Sequence, residues 1–167
     1  MSRALPARPT LVAAVLAAAT GALGCVDTDP AVLVDATIEG PSATLDQGTL
    51  ATTITGALSL WLHLGARASG PADIDLGQVS LTTSDGTSSL VSPLAVAADT
   101  TFPVSVQPDS DVVVGITFAP EDNQLDTDSY DTICTSGELA LVVALDDSLR
   151  GGTLRVTSPA LLPEGCP

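Results

Sequence analysis

Lysine is absent and arginine occurs only five times, against 20 aspartates and glutamates, so the 167-residue chain has a formal charge of −15. A chain so short of cations offers no electrostatic footprint for nucleic-acid phosphates or for an anionic membrane surface. Neutral partners, cationic partners and metal ions remain. Aromatic residues are nearly as scarce, with one Trp, one Tyr and two Phe. Sugar clefts usually want aromatic platforms, which a glycosidase built on the pairs Asp73/Asp75, Asp109/Asp111 or Asp146/Asp147 would lack. A single histidine rules out a histidine-rich transition-metal centre. It also confines any Ser-His-Asp or Cys-His arrangement to His63, whose chain neighbours Leu62 and Leu64 supply no nucleophile. No glycine-rich phosphate loop follows a strand. The residues therefore read as a protein that is not an enzyme.

What is present begins with an address. Arg3 and Arg8 precede residues 11–23 (LVAAVLAAATGAL), a charge-free run too short to cross about 30 Å of hydrocarbon as a helix. Residues 1–24 read as a signal peptide, whose removal takes two of the five cations and none of the acids. The run closes on Ala22-Leu23-Gly24-Cys25, and here the chain resembles bacterial lipoproteins, in which a small residue precedes a cysteine that becomes diacylglyceryl-modified and then N-terminal. Ala22 stands where that pattern usually has Leu. The resemblance implies lipidation of Cys25, a short tether ending at Pro30, and attachment to a membrane through the lipid anchor. Because Val26 rather than Asp follows the cysteine, it also implies the outer membrane or cell surface. The other reading is a secretory signal cleaved after Ala22 or Gly24 that leaves Cys25 an ordinary thiol.

Cysteine arithmetic bears on the same point. Three cysteines in an oxidising compartment leave one over. If Cys25 carries lipid, Cys134 and Cys166 remain to pair, closing a loop of about 33 residues worth about 3–4 kcal/mol in the chain-entropy account. The alternative is two separate buried thiols.

Residues 31–167 read as one domain. Apolar residues alternate with a period of two, and Gly, Pro, Asp and Ser punctuate the runs. Strands are expected at 32–38, 50–54, 58–64, 74–83, 88–96, 102–107, 111–118, 139–145 and 153–157. The clearest is 58–64 (LSLWLHL), with four leucines on one face and Ser59, Trp61 and His63 on the other. Asp85-Gly86 marks a tight turn, and Pro108-Asp109-Ser110 a hairpin joining 102–107 to 111–118. Residues 139–145 (LALVVAL) are apolar on both faces, as in the middle of a covered sheet. The expectation is an all-β protein of two packed antiparallel sheets. Residues 102–120 (FPVSVQPDSDVVVGITFAP) resemble the bacterial relatives of the MSP/ASH surface domains, with a strand, a Pro-Gly-Ser-like turn and alternating valines ending in Phe-x-Pro. That resemblance implies an immunoglobulin-like β-sandwich of about seven to nine strands.

Two groups are candidate sites. Glu121, Asp122, Asp126, Asp128 and Asp131 crowd an insertion between strands, and hard cations take six to eight oxygens, so the loop is a candidate Ca²⁺ site. Its spacing is not that of an EF-hand, and a solvated acidic loop is the plainer reading. Trp61 and His63 share a strand face: open to solvent they form a contact patch, covered by a loop Trp61 is core and His63 a satisfied residue. The shortage of other large core residues favours the covered arrangement. The functional expectation is an envelope-anchored lipoprotein presenting an acidic sandwich as a structural or protein-binding module for another envelope or surface protein. The alternatives are a Ca²⁺-dependent carbohydrate or envelope-polymer binder and a small hydrolase using acidic residues. No cofactor is expected apart from that Ca²⁺.

Overall fold

The fold grows from the leucine face of the sequence. In the computed structural model, which describes residues 32–49, 51–122 and 124–167, the 58–64 run is the second half of a longer strand, β2 (Thr52–Leu64). Ile54, Leu58, Leu60, Leu62 and Leu64 all point into the core, and none exposes more than 3% of its surface. The signal peptide, Cys25 and the tether lie outside the described residues.

On one side of β2 lies β1 (Asp35–Gln47) and on the other β7 (Ser110–Pro120), followed by β5 (Leu94–Ala98), which gives a four-stranded sheet of order β1-β2-β7-β5. The second sheet runs β4 (Ser89–Val91), β3 (Ala72–Thr83), β8 (Leu139–Asp147) and β9 (Gly152–Thr157), with β6 (Val104–Val106) beside the start of β3. All ladders are antiparallel. The sheets face each other across a shared apolar core, in the two-layer arrangement that buries one face of each. Apart from β6, the two orders are those of the A-B-E-D and C′-C-F-G sheets of immunoglobulin-like sandwiches. The expected all-β sandwich is what the chain forms.

Bulges and sheet-switching account for most of the strands' departures from the alternation in the sequence. β1 runs nine residues past the expected end because Gly40, at φ 54°, and Pro41 lie in a register shift between Glu39 and Ser42. The inward set thereby passes from Ile38 to Ala43 and Leu45. A second shift, between Leu76 and Val79, does the same in β3, so Ile74 and Leu81 both face the core despite their opposite parity. The expected strand 88–96 is two strands in different sheets, separated by Ser92-Pro93. The expected hairpin at Pro108-Asp109-Ser110 is not one: β6 pairs with β3, and the turn carries the chain across to β7 in the other sheet. Asp85-Gly86 is the tight turn expected, with Gly86 at φ 71° donating its N–H to the Thr83 carbonyl at 2.8 Å.

A ten-residue helix, α1 (Thr127–Ser136), occupies the acidic insertion that reads as a loop. Asp126 caps it, Gly137 ends it at φ 72°, and Tyr130, Ile133 and Cys134 face the core. Cys134 is bonded to Cys166, with 2.08 Å between the sulfurs. The C-terminal tail is held twice more: Leu161 exchanges both backbone bonds with Leu139, and Glu164 bonds to Ala43 and Leu45 along the edge of β1. Gly165, at φ 92°, lies against the Leu45 carbonyl with no room for a Cβ.

Candidate functional site

Each strand that gives one face to the core gives the other to the outside, and register decides which outward residues become neighbours. On the outer face of the β1-β2-β7-β5 sheet the pairing makes rows. Asp35, His63 and Asp111 form one, and Thr37, Trp61 and Val113 the next. Glu39, Ser59 and Gly115 form a third, which Asp99 extends by a 2.9 Å bond from its N–H to the Gly115 carbonyl.

This face is open. Trp61 exposes 38% of its surface and Val113 49%, so the arrangement in which a loop buries Trp61 does not hold. The core is filled instead by aliphatic side chains and Phe118. The indole is held in place: its Nε1–H donates to Asp111 Oδ1 at 3.3 Å, and His63 Nδ1 lies 2.7 Å from the same oxygen. With side chains 35% and 50% exposed, the His63–Asp111 pair is a surface ion pair or hydrogen bond worth less than about 1 kcal/mol. The pair stands on an open sheet face, in contact with solvent.

Two adjoining depressions, of about 640 and 450 Å³, run down the same face from the Ser59 row. Their floors are small: Ala57, Thr117 and Ala97 belong to both, with Thr55 and Ala95 further along. No Lys or Arg occurs on β1, β2, β5 or β7, whereas Asp35, Glu39 and Asp111 are exposed on those strands and Asp99 just after β5.

The acidic insertion is spent differently from a metal loop. Asp126 accepts from the backbone N–H of Ser129 at 2.8 Å and from its hydroxyl at 2.7 Å. Those two bonds hold its carboxyl below the usual carboxylate range, the backbone one first. Asp128 and Asp131 lie on exposed positions of α1, while Glu121 and Asp122 sit in the turn after β7. The five carboxylates are not brought together, and among the described residues no group of three or more His, Cys, Asp or Glu is placed to hold a metal ion. Asp85 is likewise a turn residue: the Thr83 hydroxyl, and then the N–H and hydroxyl of Thr87, keep its carboxyl below the ordinary value.

Sequence reasoning singled out Trp61 and His63 and named Asp111 only in the pair Asp109/Asp111, without placing it or Val113 beside them. Those two come from a strand 50 residues away, and only the pairing of β2 with β7 makes them neighbours. Fold and face together define a two-sheet β-sandwich whose β1-β2-β7-β5 sheet carries Trp61 and Val113 on its open outer face. Comparison with protein-family models, with curated proteins and with solved structures finds no match for the chain.

Proposed function

We propose that the protein is an envelope lipoprotein, anchored through Cys25 at the outer membrane or cell surface, whose acidic sandwich is a non-catalytic module of MSP/ASH type that binds another envelope protein. The observation that carries the binding role is the open outer face of the β1-β2-β7-β5 sheet, with Trp61 and Val113 exposed side by side. Scattered apolar residues are normal on a surface, but a pinned Trp beside an exposed Val, above a trough of small residues, is the makeup of an interface centre. The lipid anchor rests on the Ala22-Leu23-Gly24-Cys25 pattern. Among the described residues no helix is long and apolar enough to cross a membrane.

A photo-crosslinking amino acid placed at Val113 in living cells tests the face. Discrete adducts are expected from that position and not from Arg155, which is exposed on the other sheet. Equal labelling from both, or none from Val113, removes the binding role. The anchor is tested separately: Cys25→Ala should move the protein from the detergent phase to the aqueous phase. A wild-type protein already in the aqueous phase removes the anchor.

A further inference from the structure

Resting on the binding role just proposed, we infer that the Trp61 row is a receptor for a cationic side chain, arginine above all, on a protein partner. Among the described residues of β1, β2, β5 and β7, every charged side chain apart from the His63 ring is a carboxylate, and the aromatic ring stands among them. Asp111 spends Oδ1 on both Trp61 and His63, which leaves Oδ2 for a donor from outside. Asp35 lies one strand over in the His63 row, and Glu39 and Asp99 lie at the two ends of the Ser59 row, on the far side of Trp61.

A guanidinium is planar, weakly hydrated and able to lie on an indole while its N–H groups reach carboxylates at the ring's border. The indole is already fixed by its bond to Asp111, so little side-chain entropy is lost when a cation docks. A second copy of the chain does not suit the same face. A two-fold contact would bring the carboxylates of Asp35, Glu39, Asp99 and Asp111 together, with no Lys or Arg on those strands to relieve it. Net charge adds long-range attraction for any basic partner, but it acts equally on both sheets. What singles out this face is the ring.

Trp61 is the only tryptophan of the chain, so its fluorescence reports this site alone. Titrating the full-length chain with tetra-arginine amide should give a saturable change that weakens with salt. Tetra-lysine amide should bind about two- to fivefold more weakly, and tetra-glutamate not at all. Asp111→Asn should weaken tetra-arginine binding about two- to fivefold, and Trp61→Ala, followed by calorimetry, by as much or more. Asp146→Asn removes the same charge from the opposite sheet and should change the affinity much less. No saturable signal, or equal losses from Asp111→Asn and Asp146→Asn, overturns the inference. If position 113 nonetheless crosslinks to a partner in cells, the binding role stands and only the cationic assignment falls.

Discussion

Gly56 shows how much a single position is constrained here. It sits opposite Phe118 across the β2–β7 ladder, and a Cβ on it would run into the Phe118 ring and the Ser42 carbonyl. Phe118 is one of two phenylalanines in the chain and is only 3% exposed, so the ring fills space that a side chain on Gly56 would claim. Gly56→Ala is therefore expected to cost about 1–3 kcal/mol by overpacking, read as a lower denaturant midpoint with an unchanged m-value. The cap residue Asp126 gives a second test. Its carboxyl is held below the ordinary value in the folded protein, so its bonds contribute fully above about pH 4 and are lost as pH falls through the lowered value. Asp126→Ala should thus lower Tm by a few degrees at pH 7, roughly the effect of a lost N-cap, and the gap from wild type should narrow in strong acid.

Among the elements, α1 and the tail act as a unit. The helix buries only Ile133 completely, with Tyr130 and Cys134 half-buried beside it, and Thr132, Thr135 and Ser136 turn their hydroxyls back onto carbonyls four residues earlier. Such a helix is weak alone and owes its place to packing and to the bridge from Cys134 to Cys166. Replacing both cysteines with serine is expected to cost about 3–4 kcal/mol and to release the tail from β1. Faster amide exchange at Leu45, whose N–H is bonded to the Glu164 carbonyl at 2.8 Å, would report that release. Unchanged stability in the double variant would show that the bridge contributes nothing. The helix was hidden in the sequence for the same reasons: its apolar stripe is three residues long, its composition favours turns, and carboxylates dominate the segment. The core strands were legible because alternation repeats over whole ladders, as in the leucines of β2 and the two-sided apolar run of β8. The bulge at Gly40-Pro41 and the sheet change at Ser92-Pro93 were not, since both depend on which distant strand is paired. Trp61 and His63 could be picked out as the only residues of their kinds, but their exposure rests on tertiary placement.

For the molecule as a whole, the dominant fact is one sign of charge. Self-repulsion among 20 carboxylates with so few cations opposes compactness, and salt screens it over a Debye length that shrinks from about 30 Å at 0.01 M to about 8 Å at 0.15 M. Tm is therefore expected to rise over that interval at pH 7 in NaCl; a flat or falling Tm would mean that the charges are spaced too widely to matter. The same screening should weaken a basic partner, so stability and affinity are expected to respond to salt in opposite directions. The row that contains Asp35 has a further consequence. β1 begins there, next to His63 and one row from Trp61, so the ring lies at the end of the sheet where the chain enters the sandwich. Asp35 lies ten residues beyond Cys25, and even a fully extended chain covers at most about 36 Å over that many steps. If Cys25 carries the proposed lipid, that short leash would keep the Trp61 end near the bilayer, and a protein reaching the ring would have to work close to the membrane surface.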